Sequence, residues 1–238
     1  MSPIIPPTDA AYAQSLLAHP PPSEPGFIQS TISTLNLQDH IEGGYFVETD
    51  RDHLLVPNPF KNLPLLANAT SKDHSETRHA STTIYYQIGQ KSPVGYFHRN
   101  RGRTVHTLHR GRGRYVIMHF DQRDQNGQIP IETFVVGQDI EAGEKVQWIV
   151  EGGKFKASFL LPDSSRYDAT AADGAETGSE KGLLISETVV PGFEFSDHDF
   201  LTAEGMAEAL TDVQREEMRW LLKKGEQARM DQVVKQKA

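Results

Sequence analysis

Between Thr82 and Leu161 the chain runs through seven short β-type stretches: TTIYYQI, GYFHR, TVHTL, RYVIMHF, ETFVVG, KVQWIV and FKASFLL. Turn signals separate them at Ser92-Pro93, Arg110-Gly111-Arg112-Gly113, Asn126-Gly127, Ala142-Gly143 and Gly152-Gly153. Many short strands at this spacing predict an all-β sandwich or barrel, and LLISETVV further on supplies a strand that returns to the sheet. Side chains alternate along a strand, so Thr104, His106 and Leu108 share one face while Val105 and Thr107 take the other. If His98 and Asn100 open that same face on the preceding strand, polar groups converge inside a barrel, where a small-molecule site would be built.

The flanks read differently. Half of the 14 prolines fall in the first 25 residues, so residues 1–26 are expected to form a Pro-rich arm or linker around a short helix at Thr8–Ala18. From Gly26 to Leu37, Phe27, Ile28, Ile32 and Leu35 fit one helical face. Residues 27–201 then make the main domain. Within it, Pro57–Ser81 reads as a long excursion, and Asp163–Lys181, poor in apolar residues, as a mobile loop. Residues 202–238 are expected to be a helical tail, with Thr211 and Gln214 placed for a capping box and Val213, Met218, Leu221 and Leu222 on its apolar side.

Composition narrows the function classes. A chain of 238 residues with net charge −8 and pI near 5.7 is a poor general binder of nucleic acid or anionic membrane. Six arginines between Arg99 and Arg114, including RGRGR, are expected to lie on a solvated hairpin rather than an RNA-binding tract, with Arg99 or Arg103 available at a barrel rim to steer an anion. The absence of cysteine excludes disulfides, thiolate zinc sites and a cysteine nucleophile. No apolar run approaches the roughly 18 residues of a membrane helix, and there is no basic-then-apolar leader, so a soluble, cytoplasmic protein is expected. No Walker loop, dinucleotide glycine pattern, nucleophile elbow or HExxH spacing is present.

Four blocks occur in order from His40 to Leu201: HIEGGYFVETDR, STTIYYQIGQKSPVGYFHRNRGRTVHTLHRGRGRYVI, GEKVQWIVEGGKFKASFLLP and LLISETVVPGFEFSDHDFL. Together they resemble the cupin superfamily, and within it the subfamily known as a domain of unknown function, in a fungal branch that includes a yeast member of unassigned activity. The resemblance spans roughly two-thirds of the chain. It implies a double-stranded β-helix (jelly roll), a ligand-sized barrel cavity and a homodimer, but no particular reaction. The usual cupin metal site takes two His and one Glu from its first motif and a third His from its second. Placed on that pattern, His98 stands at the first His, Asn100 at the second, Thr104 at the Glu and Lys156 at the third His. An ammonium repels a metal, so the ordinary metal centre is expected to be absent and no cofactor is expected.

The candidate site follows. His98 and His106 are expected inward as candidate bases, and Lys156 inward as a proton donor or anion anchor, its charge needing either a ligand anion or a carboxylate such as Glu187. Asn100, Thr104 and Gln147 are candidate ligand contacts, with Tyr45 and Glu42 at the barrel mouth or in a partner's cavity; His109 is expected on a solvated turn. On this reading Lys156→Met would weaken binding and leave the empty fold as stable or more so. Three function classes remain open: a metal-independent isomerase or epimerase acting on a small, anionic metabolite, a non-catalytic small-molecule binder, and a metal-dependent oxygenase or isomerase, which Thr104 and Lys156 disfavour.

Overall fold

The structure is a computed structural model and describes residues 3–237 apart from 67, 70, 74 and 164–177. Helix α1 (Pro7–Ala18) opens with proline in its first turn, where the missing N–H is not needed. Helix α2 (Gly26–Leu35) stops at Asn36, which takes the left-handed conformation at φ 55°. The strands follow: β1 (Gln38–Asp39), β2 (Tyr45–Arg51), β3 (Leu55–Pro57), β4 (Thr77–His79), β5 (Thr82–Ile88), β6 (Val94–Asn100), β7 (Arg103–Arg110), β8 (Gly113–Met118), β9 (Ile131–Val136), β10 (Gln147–Val150), β11 (Phe155–Leu160), β12 (Leu183–Val190) and β13 (His198–Phe200). All of the runs read from sequence are strands. The Pro57–Ser81 excursion is closed at its base by the ribbon β3–β4. The loop expected at Asp163–Lys181 lies almost wholly outside the described residues; at its ends, Asp163 accepts hydrogen bonds from Ser179 Oγ (3.1 Å) and Lys181 N (2.9 Å).

Two antiparallel sheets build the barrel. One has the order β1-β2-β5-β12-β7-β10, the other β13-β6-β11-β8-β9. Their inner faces share one apolar cluster, in which Tyr86, Trp148 and Ile185 of the first sheet meet Tyr115, Ile117 and Leu160 of the second. This is the jelly-roll, mostly-β architecture expected from the alternating pattern. A bulge opposite Ala157 sets the register of β6 on β11: Lys156 faces His98, yet Ser158 faces Gly95. The extra residue on β6 puts both Gly95 and His98 on the barrel side.

A second core lies outside the barrel. Phe97, Met118, Phe155 and Phe159 on the outer face of the five-stranded sheet pack with Met206, Met218, Trp220 and Leu221 of the tail. β8 and β11 are therefore buried on both faces. The tail is α3 (Ala203–Ala209), α4 (Asp212–Met218) and α5 (Lys224–Lys237), with a 3₁₀ turn at Arg219–Leu221. The expected capping box is present: Gln214 N donates to Thr211 Oγ1 (3.4 Å) and Thr211 N to Gln214 Oε1 (3.0 Å). It starts a new short helix, which turns Val213 outward to 74 % exposure, against the expectation of an apolar role. The Pro-rich arm, expected as a linker, is packed too. Ile5 and Ala13 are buried in this same core, and Arg114 Nε donates to Asp9 Oδ2 at 2.8 Å.

Candidate functional site

Cross-strand register brings the first charged group together. His106 on β7 lies opposite Glu187 on β12 and Trp148 on β10, while Lys156 on β11 enters from the other sheet. Lys156 Nζ donates to Glu187 Oε2 (2.6 Å) and to His106 Nε2 (2.7 Å). Accepting from an ammonium means that His106 is neutral with its proton on Nδ1. Its ring stacks on Trp148, centroids 5.0 Å apart. Burial, and then the Lys156 charge, pushes the His106 pKa down. Burial alone would raise Glu187, but the Lys156 ammonium holds its carboxyl well below the usual range. The partner that Lys156 was expected to require is thus Glu187 itself.

A second group forms around Glu42, in the tight loop between β1 and β2. Gly43, at φ +96°, lies so close to β6 that a Cβ there would come within 2.1 Å of Val94 O, so only glycine lets the chain pass and turn Glu42 inward. Tyr96 N donates to Glu42 O (2.7 Å) and Tyr86 Oη to Gly43 O (2.8 Å), fixing the loop. His198 Nε2 donates to Glu42 Oε1 (2.9 Å), His98 Nε2 stands 3.2 Å from Oε2, and His40 Nδ1 3.5 Å. Burial opposes ionisation of Glu42, yet the imidazoles packed around it overcome this and depress its pKa strongly, His198 through the proton it donates to Oε1. His98 Nδ1 is 2.8 Å from Tyr96 O, an acceptor, so Nδ1 carries the proton. Burial, with Lys156 and His198 adding to it against the opposing pull of Glu42, lowers the His98 pKa to about 3. The neutral ring therefore presents a bare Nε2 toward Glu42.

Both groups back onto a cavity of about 280 Å³. Glu42, Asn100 and Glu187 supply polar lining, and Phe46, Ile84, Val189 and Phe193 apolar walls. Asn100 Nδ2 reaches Thr104 Oγ1 at 3.5 Å, while its Oδ1 is buried with no partner. Arg51, also in the lining, is held by Glu48 (2.9 and 2.8 Å) and Glu194 (3.0 Å).

The residues expected from sequence are sorted by this geometry. His98, His106, Lys156 and Thr104 face inward and are buried, but they stand behind the cavity lining, supporting Glu42, Glu187 and Asn100. His109 is exposed, as expected. Gln147 is exposed and does not enter the barrel: it pairs with Thr107 on the outer face, because β10 turns Trp148 and Val150 inward. Alternation alone carried that signal, with Val146, Trp148 and Val150 on one face. Tyr45 does not line the cavity; its hydroxyl donates to Glu24 Oε1 (3.0 Å) and pins the arm. Arg99 steers nothing at a rim: it is clamped by Asp199 (2.7 and 3.0 Å) and lies over Phe155. Arg103 is paired with Glu151. With Lys156 neutralised by Glu187, the argument for an anionic ligand also falls. His40 and His198 were not assigned to the site from sequence. His40 stands two residues before Glu42, a weak signal; His198, between the buried Asp197 and Asp199, had none.

The side chains do not fit the metal that the cupin fold commonly holds. Lys156 puts an ammonium between His106 and Glu187, and the imidazoles near Glu42 converge on its carboxylate rather than on a common point. Among the described residues no group of three or more His, Asp or Glu is placed to hold a metal ion.

Comparison with known proteins agrees with this architecture. Residues 29–201 match the family model described as Cupin superfamily (DUF985). An uncharacterized protein of Saccharomyces cerevisiae, YML079W, is 40 % identical over 190 residues, covering 80 % of this chain and 83 % of the yeast protein. A hypothetical protein from Leishmania major superposes with a TM-score of 0.57 at 29 % identity, over 76 % of this chain and 90 % of that one. Protein SO0799 from Shewanella oneidensis shares the fold at TM-score 0.50 and 22 % identity, over 79 % and 90 % of the two chains. The chain belongs to the cupin superfamily, in its DUF985 family.

Proposed function

We propose that the barrel is a binding site for a small polar molecule, held by Glu42, Asn100 and Glu187 without a metal. One observation carries the reading: Asn100 belongs to the cavity lining, and its side-chain Oδ1 is buried without a hydrogen-bond partner. Leaving such an acceptor unpaired costs about 1–3 kcal/mol, which a ligand donor would recover. The charges behind it are mutually satisfied, so the lining is held in one arrangement before any ligand arrives. The test is mass spectrometry of small molecules released from natively purified protein, beside the same preparation of Asn100→Leu. A compound present in the wild type and depleted about tenfold or more in the variant is the expected result. Equal retention by both would refute the reading.

A second reading, a proton-transferring isomerase or epimerase, draws on the bare His98 Nε2 beside Glu42. It ranks second because a base with a pKa of about 3 is far from the neutral range where general-base catalysis is most effective. Incubation of any captured ligand with the protein in D₂O separates the two. Deuterium at a carbon of the ligand, lost with His98→Gln, would promote this reading; binding without exchange leaves the first.

A further inference from the structure

Hydrogen-bonding capacity around the cavity is lopsided. Acceptors dominate its polar lining: the Glu42, Glu48 and Glu187 carboxylates and the unpartnered Asn100 Oδ1, against donors on His40, Arg51, Thr82 and the Asn100 amide. The available cations are already engaged. Arg51 is clamped by Glu48 and Glu194, and Lys156 gives its protons to Glu187 and His106. Carboxylates therefore outnumber cations at the site, in a chain that is acidic overall. Glu187 is balanced by Lys156, but Glu42 has only imidazoles around it and no Lys or Arg. An anion placed here would therefore meet an unbalanced carboxylate across little solvent, where like charges repel far more strongly than in water. The walls are apolar and partly aromatic, with Phe46, Phe193 and Phe195 among them, and aromatic faces attract cations.

Resting on the reading of the barrel as a ligand site, we propose that its ligand carries a positively charged nitrogen group (an ammonium, amidinium or protonated N-heterocycle) on a compact apolar or aromatic body. The nitrogen end lies among Glu42, Asn100 and Glu187, each accepting one of its protons. The body fills the space between Phe46, Ile84, Val189 and Phe193. This inverts the ligand charge expected from Lys156 alone, and the reversal follows from the pairing of Lys156 with Glu187.

Three probes sharing one ring isolate the charge: benzamidine, benzamide and benzoate, titrated into isotopically labelled full-length protein. The readout is the NMR shifts of the Asn100 side-chain amide and of the Ile84 and Val189 methyls. Benzamidine should perturb these signals with an affinity about tenfold or more above benzamide, and benzoate should leave them unmoved. Glu42→Gln should erase most of that preference. In the wild type, raised ionic strength should weaken benzamidine and leave benzamide unchanged, a measurement that does not depend on the variant folding. Benzoate seated in the cavity as tightly as benzamidine would overturn the charge assignment and leave the ligand-site reading standing. Shifts confined to residues outside the cavity for all three probes would overturn both.

Discussion

A lysine at 2 % exposure is costly unless its charge is answered, and in this barrel Glu187 answers it at 2.6 Å. That pairing changes what a substitution does. Judged by itself, Lys156→Met deletes a buried charge and keeps aliphatic volume, and should be harmless to the fold. With Glu187 beside it, the same change strands a buried carboxylate and removes the donor to His106. Lys156→Met should therefore destabilise the protein by about 3–5 kcal/mol, the usual cost of breaking one side of a buried ion pair. The double variant Lys156→Met/Glu187→Gln should recover most of the loss, because the orphaned charge has gone. Equilibrium denaturation of the two variants decides it; a single variant as stable as wild type would show that the pair contributes nothing.

At the level of elements, the two sheets obey different logic. Strands of the six-stranded sheet keep one face in the barrel and one outside, so β7 and β10 show period-two burial. β8 and β11 are buried along their whole length because helices cover their outer face. The tail is thus part of the fold. Trp220 is its anchor, packed edge-on against Phe159 at 5.0 Å with its Nε1 donating to Glu217 O. Trp220→Ala should cost about 3–5 kcal/mol, as for other buried aromatic truncations. A shift in the denaturation midpoint equivalent to less than about 1 kcal/mol would mean that the tail docks only loosely.

For the whole molecule, the outer face of the six-stranded sheet stands apart. α2 covers one end, where Arg110 lies over the Phe27 ring and bonds Thr31. Beyond it, Thr83, Thr188, Val105 and Ile149 form a cross-strand row, and Ile149 remains 44 % exposed. We propose that this face joins two copies in a homodimer, since an uncovered β-branched row and open sheet edges favour association. Solution scattering at micromolar concentration should give a dimer mass, and Val105→Glu/Ile149→Glu should reduce it to a monomer with unchanged circular dichroism. A monomeric wild type would contradict the proposal.

Local patterning by itself determined the strands, the inward parity of His98, Thr104 and His106, the capping box at Thr211 and membership of the family. Each of these depends on backbone periodicity or on contiguous motifs, which are written in neighbouring residues. The site was only half legible for the same reason. Glu187 was available as a partner for Lys156, but their contact depends on how far apart two sheets stand. Gln147 was expected in the site but points outward, because Trp148 and Val150 take the inner face of β10. The convergence of His40, His98 and His198 on Glu42 joins a loop, β6 and β13, which are separated by up to 158 residues of chain. Tertiary structure alone decided which carboxylate takes each cation, and with it the polarity of the cavity, because charges far apart in sequence are paired by distance and burial rather than by pattern.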